Sequence, residues 1–500
     1  MNFSKEQLGR MILDYDPTNP QPEFFATATE MAATLARAAV TQPVPFPAGL
    51  APRPVAPANP PASQDPLPAA DVLVVTWTVA EAVALATLFT PGVSLAEWFE
   101  YTHNLDAFIP NVTGKSAPFN DPTHPRYYHS LGLYHPVQLV GKDVLCFKSG
   151  LHMDYDGPAM PLLDLWKQIL DETGAKFVIT TGTGGAIGAN VLLGDVVVAG
   201  QTVFDCTTKF KDKPFSHTPY DTTPLASPPN ARITADMTGP NASKLKTSNV
   251  PLHADGLPVF FCPGSSIAVP KIVTTDSFEF DNTTDSAGLQ SLGNVCDMGD
   301  ASLGLFLSTR ATPPKWAAIR NASDPQMNGN DPPPQQAKDA HSIYINYGPY
   351  TSAASVLATW GVICGEYGPR ANSQLLEAKM TTPVQSRSRL IAAAKAREAG
   401  LSPSQILLQI AASEDFKAAD IPSDQVPPAT LQALNSHLNA INVDPRTSDF
   451  DYRRLTYTDE TTQHERLDLI HVRNEDAEVF VGTYLYEGAN LVAKQEFVSS

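Results

Sequence analysis

The sequence predicts an α/β chain built on a central sheet, and three observations carry that prediction. Short β-branched runs suited to strands buried on both faces recur at Val72-Leu73-Val74-Val75, Val144-Leu145-Cys146-Phe147, Phe177-Val178-Ile179 and Val196-Val197-Val198. Helical stretches fall between and after them, over 80–89, 161–172, 301–307 and 352–364. Polar and small residues gather at the predicted strand ends, where open α/β sheets bind their ligands. With 500 residues, the chain is long enough for two or three domains and at least one large core.

In chain order, residues 1–70 read as an arm: a helix over 25–39, then a proline-rich segment over 43–70. That segment is extended and semi-rigid, either a disordered linker or a strap along the next domain. The main domain spans 71–366. It opens with the strand at Val72, the turn Thr76-Trp77-Thr78 and the helix over 80–89, which places Glu81 near the strand's C-terminal end. Residues 91–140, rich in aromatics, Pro and His, read as an inserted loop or hairpin. No ligand spacing among those histidines supports a metal site. His152, Asp154 and Asp156 form a polar cluster after Gly150.

The stretch Lys176 to Ala199 organises the rest. Its first strand leads into Thr181-Gly182-Thr183-Gly184-Gly185, which reads as a tight small-residue turn letting backbone N–H groups approach a ligand. No G-x-G-x-x-G helix follows, so this is not a dinucleotide fingerprint. Residues 200–270 are irregular and proline-punctuated, an insertion in which His217, Asp221 and His253 are weaker site candidates. A strand at Ile272–Thr275 runs into Asp276-Ser277-Phe278-Glu279, and Asp297-Met298-Gly299-Asp300 precedes the helix over 301–307. A strand over 316–320 ends in Asn321-Ala322-Ser323-Asp324. Residues 367–500 form an α+β extension, with helices over 384–398, 403–412 and 428–442, a hairpin from Leu467–Val472 and 477–486, and a last strand to Phe497.

Net charge is −18, which argues against non-specific binding to nucleic acid or to an anionic membrane. Five scattered cysteines with no CxxC pair indicate neither a zinc ribbon nor a disulfide framework. The N-terminus lacks a signal-peptide core, and no run of about 18 apolar residues occurs, so the expectation is a cytoplasmic chain.

Five of these motifs resemble, in order and spacing over residues 72–364, the purine-nucleoside/uridine phosphorylase superfamily, and most nearly its methylthioadenosine/S-adenosylhomocysteine nucleosidases. They are Lys148-Ser149-Gly150, Thr180–Gly185, Ile272–Phe278, Asp297–Ala301 and Ile319–Asp324. The resemblance implies a three-layer α/β/α fold with a central mixed sheet, to which the arm and the C-terminal extension are added. It implies a small nucleoside or nucleotide as ligand, no cofactor or metal, and a homo-oligomer, dimeric or hexameric. It places Asp324 as the acid that protonates the departing base and Glu81 as the carboxylate that steers water. Phe278 and Glu279 take the base-pocket positions. Thr181, Gly182, Thr183 and Gly184 line the sugar side, with Ser323 beside the acid. Asp297 and Met298 take ribose positions, but the family's second Glu is replaced by Gly299, leaving Asp300 or Asp297 to substitute.

The phosphorylases of this superfamily hold phosphate with arginines, and Thr180 stands at one of those positions. The early arginine is also missing, since Val72–Thr90 contains none. Threonine cannot replace a guanidinium's charge and bidentate fork. The resulting expectation is an N-glycosidase that hydrolyses the base–sugar bond of a purine nucleoside or nucleotide-like substrate. The alternatives are a phosphate-dependent phosphorylase and a non-catalytic purine sensor.

Overall fold

The computed structural model describes residues 4–19, 46, 49–57, 59–112, 129–153, 159–187, 190–225, 258–263, 269–279, 288–324 and 332–368. In the C-terminal part it describes the backbone of 450–459, 464–473, 478–487 and 490–499. The helices expected over 25–39, 384–398, 403–412 and 428–442 lie outside these residues, as do Asp154, Asp156 and His253. The chain divides into two compact units, Met1–Gly368 and Pro369–Ser500.

The first unit carries helices α1 (Lys5–Asp14), α2 (Val79–Phe89), α3 (Leu162–Thr173), α4 (Asp300–Ser308) and α5 (Pro333–Tyr367). Its strands are β1 (Arg53–Pro54), β2 (Val72–Thr76), β3 (Phe99–Tyr101), β4 (Gly132–Leu139), β5 (Lys142–Ser149) and β6 (Phe177–Ala186). They continue with β7 (Val196–Val198), β8 (Gln201–Asp205), β9 (Pro219–Asp221), β10 (Phe260–Phe261), β11 (Lys271–Thr275), β12 (Val295–Asp297) and β13 (Lys315–Asp324). Among the described residues these form one mixed sheet in the order β1-β4-β5-β2-β6-β12-β11-β8-β9, with β13 joining β6 to β7.

Successive residues of the central strands point to opposite faces, and both faces are covered. Val72 and Val74 of β2, Ile179 of β6 and Ile319 of β13 pack with Leu85 and Phe89 of α2 and Leu357 and Ile363 of α5. Leu73 and Val75, Val178 and Ala318 pack the other way, with Leu165, Trp166 and Ile169 of α3 and Leu303 of α4. The architecture is therefore three-layered α/β/α. Helix α1 adds Leu8, Ile12 and Tyr15 to a smaller cluster with Ala80, Ala340 and Tyr344, so the start of the arm packs onto this unit.

Three expectations need correction. Thr181–Gly185 is not a tight turn: β6 continues through it to Ala186, because β13 pairs with it as far as Gly185 and β12 joins at Gly185 and Ala186. The strand predicted over 316–320 runs four residues further, to Asp324. The insertion after residue 200 is less irregular than its prolines suggest, since it carries β8, β9 and β10.

The second unit contains a four-stranded antiparallel sheet in sequential order: β14 (Phe450–Asp459), β15 (His464–Arg473), β16 (Glu478–Glu487) and β17 (Asn490–Ser499). β15 to β17 correspond to the expected hairpin and last strand, whereas β14 was not legible. Among the described residues no helix is long and apolar enough to cross a membrane.

Candidate active site

The site originates in a gap along one edge of β6. β2 accompanies β6 from Phe177 to Thr180, and β12 joins only at Gly185. Between them the Thr183 N–H has no neighbouring strand on that edge, and a buried amide needs an acceptor. Glu81 supplies it: its Oε1 accepts the Thr183 N–H at 2.7 Å and the Thr183 hydroxyl at 2.7 Å. Glu81 reaches the gap because Thr78 caps α2 in a reciprocal capping box. Its Oε2 accepts the Thr78 and Trp77 N–H groups, each at 3.0 Å, and the Thr76 hydroxyl at 2.7 Å.

A sixth donor is Arg320 Nη1, 3.4 Å from Glu81 Oε1. Burial alone would raise the Glu81 pKa. The Arg320 charge and the hydrogen bonds from Thr183 and Thr76 outweigh it, and the pKa is lowered. Gly182 makes this approach sterically feasible. A Cβ there would fall on the Glu81 carboxyl and 2.6 Å from Arg320 Nη1.

Arg320 is itself enclosed. Asp300 accepts its Nε at 2.9 Å and its Nη2 at 2.6 Å in a fork-to-fork pair. Asp297 Oδ2 lies 3.2 Å from Nη2, and the guanidinium stacks 4.8 Å from the centre of the Trp77 ring. Asp297 also accepts the Thr274 hydroxyl and the Gly299 and Asp300 N–H groups at the start of α4. Burial first, then the Asp300 charge, raises the Asp297 pKa.

β13 pairs in register with β6 until Ala322, after which a bulge places Asp324 opposite Gly185. Bulges re-aim side chains, and here both Ser323 and Asp324 reach the cavity. The Ser323 hydroxyl donates to Asp324 Oδ1 at 2.6 Å. Desolvation pushes the Asp324 pKa up to about 7, against that one hydrogen bond.

Glu81, Thr183, Gly184, Asp297, Ser323 and Asp324 line this one cavity. Its apolar walls include Phe278 and Met298, with Glu279 beside them. The other expected residues are turned elsewhere. The Thr181 hydroxyl bonds Thr359 on α5 at 2.9 Å, Gly182 lies beneath the Glu81–Arg320 contact, and Asp300 is spent on Arg320. His217 is exposed beside Asp205, and Asp221 accepts from Gln201 at the surface.

Several groups in the cavity were not singled out from sequence: Arg320, Trp77, Tyr344, and Ile12 and Leu13 of α1. Tyr344 shares a 2.9 Å hydrogen bond with the Thr78 hydroxyl; burial, then the Glu81 charge, raises its pKa, and Asp324 adds to the effect. The signal available for Arg320 was its place four residues before Asp324 on one strand. Tyr344 and Ile12 carry no local signal. His152, part of the polar cluster after Gly150, stacks on Phe278 with ring centres 6.3 Å apart. Among the described residues no group of three or more His, Cys, Asp or Glu side chains is arranged to hold a metal ion.

No family model matches the chain, and no curated protein does. Solved structures of similar fold include futalosine hydrolase of Helicobacter pylori strain 26695, at 12% identity over 58% of this chain and 96% of that one, with a TM-score of 0.34. Another is the 5'-methylthioadenosine/S-adenosylhomocysteine nucleosidase of Helicobacter pylori, at 12% identity over 58% and 97%, TM-score 0.34. A third is the corresponding nucleosidase of Neisseria meningitidis, at 15% identity over 59% and 98%, TM-score 0.33.

Proposed function

We propose that this chain is an N-glycosidase that hydrolyses the base–sugar bond of a purine nucleoside or nucleotide-like substrate. The observation that supports it is one cavity holding two carboxylates biased towards opposite protonation states. Expelling a purine anion is slow, and a neutral acid at the base lowers the cost. Asp324, with a pKa near 7, keeps a proton available at neutral pH. As the bond to the sugar breaks, its electrons pass to the base and Asp324 delivers the proton there.

The sugar left behind is cationic, and Glu81 stays ionised to face it. Six donors make Glu81 a weak base, so its contribution is charge and orientation. Its longest contact, the 3.4 Å one to Arg320, is the one an attacking water can displace. Water oriented by Glu81 then adds to the sugar carbon, and the oxonium so formed loses its proton to solvent, from which Asp324 is reprotonated. The charge balance favours water over inorganic phosphate. Arg320 lines the cavity, but Asp300, Asp297 and Glu81 already surround it.

The test is incubation with purine nucleosides and nucleotides, with and without phosphate, and chromatography of the free base. Release of base without phosphate supports hydrolysis. Release only with phosphate reassigns the chain as a phosphorylase, and purine binding without release reassigns it as a sensor.

A further inference from the structure

We infer that α1 is the specificity wall of this site: its Ile12 and Leu13 meet the substrate and restrict it to nucleosides that carry no ionised phosphate. The inference rests on the nucleosidase reading above and narrows its substrate class. α1 lies in the N-terminal arm, outside the five motifs, yet both side chains line the cavity. Its placement follows from its pattern. Leu8, Ile12 and Tyr15 recur at helical spacing and pack with Ala340 and Tyr344 of α5. Leu13, one position round, joins the larger core cluster that includes Trp77. Gly9 lets the helix close on the base-pocket aromatic, since a Cβ there would fall on the Phe278 ring. Ser4 and Gln7 fix the start of the helix in a capping box. At the other end Asp14 is buried, and its charge acts on Lys148, buried at the end of β5.

Ile12 and Leu13 belong to the last turn of α1, so the helix meets the cavity with its C-terminal end. Unpaired carbonyls give that end a partial negative charge, and its last turn holds Asp14 but no basic residue. The rest of the lining suits an anion no better. Glu81, Glu279, Asp297 and Asp324 line it, and Arg320 is the one guanidinium among the described lining residues. Even with Asp297 and Asp324 protonated, Glu81 and Glu279 remain, while Asp300 already pairs with Arg320. His152, the other described lining group able to take a positive charge, is stacked on Phe278. Lys148 is not among the described lining residues, and Asp14 and Glu81 both act on it. A phosphate dianion taken out of water needs cations or a helix N-terminus in place of its hydration. α1 offers it two aliphatic side chains and the opposite end of the dipole.

The experiment gives the full chain adenosine, inosine and guanosine beside their 5′-monophosphates and measures free base. The nucleosides are expected to show kcat/KM at least about tenfold above the monophosphates. Ile12→Ala trims the wall and is expected to raise KM for the nucleosides at least about threefold, with a smaller change in kcat. Ile12→Lys puts a cation on the wall and is expected to narrow the nucleoside-to-monophosphate ratio at least about threefold. A helix that only supported the fold would leave that ratio where it was. Melting temperatures identify a variant that has lost its fold, and Leu13→Ala or Leu13→Lys then takes its place. Monophosphates turned over as fast or faster by the wild type would overturn the inference. Folded variants at 12 and 13 that leave both KM and the ratio unchanged would overturn it too. If no base is released from any substrate, the hydrolase reading fails by itself, and the same pairs are compared by equilibrium dialysis. Tighter nucleoside binding, narrowed by Ile12→Lys, then sustains the wall, whereas equal binding, tighter monophosphate binding or no binding overturns it.

Discussion

Glu81 and Asp324 carry the same functional group into the same cavity and are driven in opposite directions. Glu81 is 2% exposed, accepts from six donors and has its pKa lowered. Asp324 sits at an open strand end, accepts one hydrogen bond from its neighbour and is raised to about 7. The more deeply enclosed carboxylate is the more firmly ionised. Donor supply, not depth, decides protonation here: the Arg320 charge and the hydrogen bonds from Thr183 and Thr76 offset desolvation at Glu81, and only Ser323 opposes it at Asp324. This division yields an acid and an anion from two carboxylates.

The sharpest way to break the comparison is to remove the cation at the ionised end. Arg320→Met leaves Asp300, Asp297 and Glu81 facing one another in an enclosed space. It should lower stability by about 3–5 kcal/mol in urea denaturation. An unchanged midpoint would mean that the carboxylates do not depend on Arg320. Glu81→Gln is milder. Its amide nitrogen must face donors such as Thr183 N–H or Trp77 N–H, an expected loss of about 1–3 kcal/mol together with slower base release. Thr78→Ala deletes the cap of α2 and the Tyr344 contact, with an expected loss of about 1 kcal/mol by thermal melting.

Stability against pH separates the two ends further. Because the Glu81 pKa is lowered on folding, its contribution is present above the unfolded carboxylate value and is lost as pH falls below about 4. Because the Asp324 pKa is raised, folding holds a proton that the unfolded chain releases, so stability declines as pH rises from about 4 to about 7. Glu81→Gln should flatten the acid arm and Asp324→Asn the neutral one. If both variants keep the wild-type profile from pH 3 to pH 8, the assigned environments are wrong.

Local patterns disclosed much of this architecture. The runs at Val72, Val144, Phe177 and Ile272 are buried strands because both faces of the sheet are covered, which is what an uninterrupted β-branched run encodes. Glu81 and Asp324 were singled out by the family resemblance at positions close to the ends of such runs, and both line the one cavity. The glycines of β6 misled because glycine suits both a turn and a close approach. Gly182 admits the Glu81–Arg320 contact, and Gly184 lies against the Cys296 carbonyl, while the strand runs straight through. Tyr344 and Trp77 became site residues through contacts spanning hundreds of positions, such as Thr78 to Tyr344, and no local spacing encodes those. Asp300 shows the converse: a carboxylate in the right motif is committed to Arg320 instead of the cavity.

The most direct measurement is free-base release by wild type and Asp324→Asn across pH 5 to 9, with melting temperature recorded alongside. The account predicts that wild-type kcat/KM falls as pH rises through about 7. It predicts that the variant loses at least about 100-fold at every pH while melting no lower than wild type. A variant that releases base at the wild-type rate, or a wild-type rate that climbs through pH 7, would contradict it.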